Sequence, residues 1–486
     1  MVNFVCRLDR RPTPLPHVWE HTVGSGHAPL ALRADWQAQL RQCREELGFQ
    51  HVRFHGLLSD AMGTLICQNE ELLYSFFNAD QVMDFLLSIG MRPFVELSFM
   101  PETLASGHET VFRYRGNITP PRDYGQWAEL IRRLVQHWVE RYGLAEVRQW
   151  YFEVWNEPNL HHFWTKDQAE YFELYRHTAR AIKGIDGGLR VGGPATAQNE
   201  WIGALLEFGQ RAEVPVDFVT THYYPTDAFG EIGADSDTQL AHAPRDVMRQ
   251  KAQVARSQAG DCPLYYTEWN VSSNPRHAVH DQPFAAAYLI HIVLSVADLV
   301  QGYSFWTFTD IFEENYFPSQ PFHGGFGLLN LHGIPKPAYR AFELLHRLGN
   351  DRFEVEGEHE TVEAWVSRRG EMLQVLLVNH AQPRRPIHTE LVHVALHSAP
   401  PVQAAYVERV DEAHANPRAA WEAMGAPGYL SPWEVHQLQA ASALRKEPLP
   451  VRLEDGVLHV EVDLPPYAVA AVTLECTTEP GTANRG

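Results

Sequence analysis

The chain has 486 residues, 45% apolar and 21% charged, which suits a folded protein with a large core and excludes a disordered, collagen-like or disulfide-stapled one. Its 40 basic and 60 acidic residues give a formal charge of −20, and no basic run is interleaved with aromatics, so nucleic acid is not an expected partner. The five cysteines (Cys6, Cys43, Cys67, Cys262 and Cys476) are widely spaced, odd in number and without a CxxC, the pattern of reduced thiols and not of disulfides or a zinc site.

At the start of the chain Val2, Phe4, Cys6 and Leu8 alternate as in a strand, and Met1 to Pro14 lacks an apolar core of signal-peptide length. From about residue 17 to 348, short apolar runs alternate with helical periodicity. The predicted strands are His17–Val23, His51–His55, Arg92–Leu97, Trp150–Trp155, Leu189–Gly192, Phe218–His222, Leu264–Glu268 and Gly302–Phe308. Between them lie amphipathic helices. Trp36, Leu40, Cys43 and Leu47 precede Gly48, and a stripe from Trp127 to Tyr142 is closed by Gly143. Phe284 to Val300 is shorter than the ~20 apolar residues a membrane span needs and is interrupted by His291, Ser295 and Asp298, so it reads as a buried helix in a cytoplasmic protein. Eight strand–helix units predict an α/β fold, a (β/α)8 TIM barrel over 15–348. A doubly wound sheet is the alternative, but Gly24-Ser25-Gly26 is only a fragment of its phosphate-binding turn.

Beyond residue 350 the runs Val362–Ser367, Met372–Asn379, Leu391–His397, Val457–Asp463 and Ala468–Glu475 predict an additional β-sandwich domain, built from 1–14 and 349–478 and followed by a mobile tail, 479–486. Asp455-Gly456 marks a hairpin, and Ser431-Pro432-Trp433-Glu434 starts the one helix expected there.

Two strands end in carboxylates among aromatics. One runs Trp150-Tyr151-Phe152-Glu153-Val154-Trp155-Asn156-Glu157-Pro158-Asn159; the other runs Tyr265-Tyr266-Thr267-Glu268-Trp269-Asn270. Pro158 cannot extend the ladder, which puts Glu157 at the end of the fourth strand. Glu268 ends the seventh. These ends face each other across the mouth of a barrel, and the C-terminal mouth is where barrel enzymes work. Two carboxylates flanking one bond are what glycoside hydrolysis needs: one protonated for the leaving oxygen, one ionised for the anomeric carbon. A lone strand-end Glu is more often an ion pair or a surface charge; an opposed pair is less readily accidental. Glu153 and Glu96 lie deeper and are expected to be structural, with Arg53 as a partner. His161-His162 has no metal-ligand spacing, so no metal and no cofactor are expected.

Residues 150–159 resemble the acid/base signature of glycoside hydrolase family 39, whose members include β-xylosidases and α-L-iduronidases. The likeness extends to Arg53-Phe54-His55-Gly56, Thr221-His222-Tyr223-Tyr224, Thr267-Glu268-Trp269-Asn270, Trp306-Thr307-Phe308-Thr309-Asp310 with Glu313-Glu314, and Phe322-His323-Gly324-Gly325-Phe326-Gly327. The resemblance implies a retaining exo-glycosidase with Glu157 as general acid/base and Glu268 as nucleophile. It places His55, His222, Tyr224 and Trp306 around the first sugar, with Glu313 or Glu314 gripping hydroxyls; Asn156, beside the acid, is expected to hydrogen-bond the sugar 2-hydroxyl. The expected activity is that of a β-D-xylosidase acting on short xylo-oligosaccharides in the cytoplasm, with α-L-arabinosidase side activity. An α-L-iduronidase and a non-catalytic sugar-binding barrel are the alternatives. The sandwich's role and the oligomeric state stay open.

Overall fold

The alternating strands and helices close into a cylinder in the computed structural model, which describes residues 1–227, 235–315 and 317–477. The barrel strands are β1 (Thr22–His27), β2 (His51–His55), β3 (Arg92–Leu97), β4 (Tyr151–Val154), β5 (Arg190–Ala197), β6 (Phe218–Tyr223), β7 (Leu264–Trp269) and β8 (Gly302–Phe305). Each is parallel to its neighbours in the ring, and β8 closes on β1 through Phe305 opposite Val23. Their low charge follows from position: β2, β4, β6 and β7 are buried along their whole length, between the barrel interior and the helices.

A helix follows each strand: α1 (Ala34–Leu47), α2 (Phe77–Ser88), α3 (Tyr124–Tyr142), α4 (Gln168–Lys183), α5 (Ile202–Ala212), α6 (Val247–Ala259), α7 (Pro283–Val296) and α8 (Pro337–His346). In α3, the Asp123 side chain accepts from the backbone N–H groups of Gly125 and Gln126, which would otherwise lack partners. Its stripe Trp127, Leu130, Ile131, Leu134, Val135 and Trp138 is buried on the barrel, and each such aliphatic side chain contributes about 1.5–3 kcal/mol. The apolar α7 is buried almost all round because the sandwich covers its outer side, against strands Met372–Asn379 and Val469–Cys476. Among the described residues no helix is long and apolar enough to cross a membrane.

The first strand differs from the expectation His17–Val23. A 3-10 turn occupies Val18–Glu20, and the strand runs on through Gly24-Ser25-Gly26. Those glycines serve close packing: a Cβ on Gly24 would lie 2.4 Å from the Trp306 ring. β5 is longer than expected at its C-terminal end and β8 shorter.

The C-terminal quarter of the chain, with the N-terminal strands, adds two facing sheets. One has five strands and takes in Val2–Arg7, which pairs in parallel with Glu390–His397; the other has seven, centred on Met372–Asn379 and Val469–Cys476. Their inner faces form a separate apolar core that includes Phe4, Val375, Val394, Val460 and Val472. Two helices interrupt the sheets where one was expected. Pro432–Ser442 has the Ser431–Glu434 capping box, and the shorter Pro417–Ala423 is capped by Asn416. Trp421 and Leu438 of this pair pack on Phe322 and Ile334 from the loop after β8, beside the barrel mouth. The tail 479–486 lies outside the described residues.

Candidate active site

Both carboxylates emerge where their strands run out. After β4 the backbone turns through Trp155 (φ 73°) and Glu157 (φ 42°) on either side of Asn156. Non-glycine residues in this left-handed region cost on the order of 1–3 kcal/mol each and need support from their surroundings. That support is present: the Glu157 N–H donates to the Ala195 carbonyl of β5 at 2.8 Å, and the buried Trp155 indole donates to the Phe163 carbonyl at 2.8 Å. Glu268 is the penultimate residue of β7. One carboxylate oxygen of Glu157, one of Glu268 and one ring nitrogen of His222 all lie within 4.8 Å of one another. So close an approach is on the side of the ~5–5.5 Å carboxyl separation of a nucleophile and acid pair and not of the ~6.5–9.5 Å that leaves room for an attacking water between them.

Arg53 of β2, fully buried, organises the acidic groups. It bonds Glu153 at 2.5 Å through Nε and Glu268 at 2.7 Å through Nη1. Nη2 reaches both Asn156 Oδ1 at 2.9 Å and Glu96 at 2.8 Å. Glu153 and Glu96 thus have the structural role expected of them. Burial opposes the guanidinium charge, but the carboxylates of Glu153, Glu96 and Glu268 outweigh it and raise the pKa of Arg53. Removing Arg53 would strand its buried carboxylates, at about 3–5 kcal/mol, whereas Arg53 itself has more than one carboxylate partner.

Glu157 and Glu268 sit in contrasting surroundings. Burial first, and the neighbouring Glu268 charge second, push the Glu157 carboxyl well above the usual range, against the pull of Arg53. That shift favours the protonated form of Glu157. Each oxygen of Glu268 accepts a hydrogen bond from a fixed donor, Oε1 from Arg53 and Oε2 from the Tyr224 hydroxyl at 2.9 Å, as an ionised carboxylate does.

The two acids open into a cavity of about 450 Å³ whose wall includes His55, Asn156, Tyr224, Trp306 and Glu314. His55 is held by Glu96 at 2.7 Å through Nδ1, and its Nε2 stands 3.7 Å from both Glu268 and Glu314. Trp306 packs with Phe312 and Phe326 as an aromatic floor. Glu314 Oε1 is buried with no hydrogen-bond partner among the described residues. Burial, then the charges of Glu268 and Glu157, raise its pKa well above the ordinary value.

Two of the expected sugar contacts stand elsewhere. Glu313 points out of the cavity, 3.3 Å from Arg33 and 3.6 Å from His27, because successive side chains on the loop diverge. His222 is fully buried behind Glu157, bonding it at 2.9 Å through Nδ1 and Thr267 at 3.1 Å through Nε2. The cavity wall also includes Phe112, Gln198 and Asn274, which the sequence reading did not single out. Phe112 comes from the hairpin between β3 and α3, at φ 60°, and the length of that connection was its only advance signal.

Glu157, His222 and Glu268 also form, among the described residues, the one group of three side chains spaced to offer a metal nitrogen and oxygen donors. His222 Nδ1 and Glu157 already satisfy each other. His161 and His162 are exposed.

The model of the family described as glycosyl hydrolases family 39 matches residues 5–456. The chain is 47% identical over 480 residues to a β-xylosidase of Caldicellulosiruptor saccharolyticus, covering 98% of each chain. It is 38% identical over 478 residues to a β-xylosidase of Geobacillus stearothermophilus, covering 94% of this chain and 92% of that one. Among solved structures, a monomeric β-xylosidase from Caulobacter crescentus is 36% identical and aligns with a TM-score of 0.90, covering 98% of this chain and all of that one.

Proposed function

The chain belongs to glycosyl hydrolases family 39, and we propose that it is a retaining β-D-xylosidase releasing xylose from the non-reducing end of short xylo-oligosaccharides. The observation that carries this reading is the asymmetric carboxyl pair: Glu157 holding a proton and Glu268 held by two donors, within one small cavity. In the first step Glu268 attacks the anomeric carbon while Glu157 gives its proton to the glycosidic oxygen, so the leaving sugar departs neutral and the xylose stays covalently on Glu268. In the second step the Glu157 carboxylate takes a proton from water, whose oxygen attacks the same carbon; xylose is released and both acids return to their starting states.

The wall residues support this chemistry. Arg53 occupies Asn156 Oδ1, leaving the amide N–H groups to reach the sugar 2-hydroxyl, a contact that strengthens in the transition state. Glu314 and His55 offer hydrogen-bonding groups for the other hydroxyls, over the Trp306 floor. A uronic acid substrate would call for a cation, and among the described residues of the wall there is no Lys or Arg. That favours a neutral pentose over an iduronide. The five free thiols accord with a cytoplasmic site of action on imported oligosaccharides.

A panel of aryl glycosides, with the first-formed product followed by NMR, tests the proposal. Turnover of the aryl β-xyloside with initial release of β-xylose is expected, and α-L-arabinoside turnover as the weaker activity. Preference for the α-L-iduronide, or α-xylose as first product, contradicts the proposal. No turnover of any glycoside points to the non-catalytic barrel.

A further inference from the structure

The hydrogen bonds behind Glu157 form a one-way chain. Glu153 accepts from Arg53 Nε at 2.5 Å, from the Thr267 hydroxyl at 2.8 Å and from Thr220. Burial, with the Glu96 charge, raises the pKa of its carboxyl, against the pull of Arg53 and Thr220; the direction of the Thr267 bond is set by its geometry, the hydroxyl donating to Glu153 Oε1. Thr267 has one hydroxyl hydrogen, and it goes to Glu153. The Thr267 oxygen, 3.1 Å from His222 Nε2, can therefore only accept. That fixes the proton of the neutral imidazole on Nε2 and leaves a lone pair on Nδ1, 2.9 Å from Glu157 Oε1. Burial, helped by Arg53 and His55, lowers the His222 pKa well below the ordinary value, so a doubly protonated ring does not confuse the assignment. Across the Nδ1–Oε1 contact, the hydrogen must come from Glu157.

We propose that Thr267 is a positioning residue for the general acid: by locking the His222 tautomer it makes the protonated form of Glu157 a hydrogen-bond donor and denies the ionised form a partner. This deepens the reading of Glu157 as acid/base and rests on it. With the lock in place, the carboxylate left after proton donation faces a lone pair. Glu157 is thereby a weaker acid at rest and a stronger base toward water in the second step. Without the lock, the imidazole can move its proton to Nδ1 and donate to the Glu157 carboxylate, which stabilises the anion and lowers the pKa. The chain joins the two reactive carboxyls through Arg53, which holds Glu153 with Nε and Glu268 with Nη1.

The other groups whose charges bear on Glu157 are Glu268 of β7, Arg53 of β2, Glu96 of β3, Asp227 after β6 and Glu314 after β8; Tyr224 also neighbours it, and His55 faces His222. A substitution at Thr267 replaces none of these groups, and Thr267 is itself 1% exposed and outside the cavity wall.

The test is the pH dependence of kcat/KM for an aryl β-xyloside with a poor leaving group, measured for the wild type, Thr267→Val and Thr267→Ser. Valine keeps the shape and removes the hydroxyl; serine keeps the hydroxyl. The alkaline limb is expected to move to lower pH by about one to two units in Thr267→Val, the worth of one hydrogen bond to a charged group, and to return in Thr267→Ser. KM for an activated aryl xyloside is expected to stay within about twofold, because the cavity wall is untouched. Thr267→Ala, smaller and equally without a hydroxyl, repeats the measurement if the valine variant does not fold. An alkaline limb that stays in place or moves up in the hydroxyl-free variants overturns the proposal, as does a serine variant that behaves like valine. A wild type without xylosidase activity would fail the functional reading instead, so the two failures are distinguishable.

Discussion

The two ends of the barrel are built from the same strands and do opposite things with them. At the N-terminal end Phe94, Tyr151, Phe218 and Tyr265 meet in a closed aromatic cluster, with Phe94 stacked on Tyr151 at 4.8 Å. Polar atoms there find partners: the Tyr151 hydroxyl lies 3.2 Å from that of Tyr265 and 3.1 Å from His21 Nε2, and Arg190 lies over the Tyr151 ring. The histidines behave as core residues, burial pushing His51 down to about 4 and His21 well below the ordinary value. At the other end the same β4 and β7 carry Glu157 and Glu268 into a cavity, with positive-φ residues, a carboxyl oxygen on Glu314 without a hydrogen-bond partner among the described residues, and acids crowded on one arginine. The base of the cylinder holds the strands together so that the mouth can keep charges that do not stabilise the fold.

Substitutions at the two ends should therefore separate activity from stability. The largest effect is expected at the mouth: Glu268→Ala should lower xylosidase turnover by more than about a thousandfold, since no other group can form the covalent intermediate, with little change in melting temperature. Glu157→Ala should lower kcat/KM by about 10²–10⁴-fold for xylosides with poor leaving groups and far less for activated ones, which need no proton. Because the folded pKa of Glu157 is raised, the acid form persists to higher pH than that of an ordinary carboxyl and is lost as pH rises through that raised value; Glu157→Gln should erase the alkaline limb of a bell-shaped profile and leave the acid limb. At the base, Phe94→Ala should cost about 3–5 kcal/mol in chemical denaturation while the surviving folded molecules keep their kcat. Loss of kcat with unchanged stability in Phe94→Ala would erase the division between the ends.

The sequence made some of this legible. An apolar strand stopped by Asn-Glu-Pro and a second stopped by Glu-Trp-Asn place both carboxyls at strand ends, and periodicity alone implies the cylinder. The pairing of Arg53 with Glu153 could be anticipated because both lie on buried strands, where a charge needs a partner. What stayed hidden depends on direction and distance. Glu313 and Glu314 are neighbours in the chain but face different ways, and nothing local says which enters the cavity. His222 looks like a sugar ligand at a strand end, yet its side chain turns behind Glu157. Gly24-Ser25-Gly26 reads as a turn because its reason, the Trp306 ring, is distant in sequence. Phe112 and Gln198 are brought to the wall only by the fold. Thr267 gives no signal of its own, since its meaning lies in which oxygen its single hydrogen bonds.

The central claim is that Glu268 forms the covalent bond to the sugar and Glu157 supplies the proton. A 2-fluoro xyloside with a good leaving group, which forms the glycosyl–enzyme quickly and releases it slowly, tests it most directly when followed by peptide mass mapping. The expected result is one added fluoroxylosyl group, on Glu268. A label on Glu157, Glu314 or any other residue, or turnover of the true substrate with no trapped species, would contradict it.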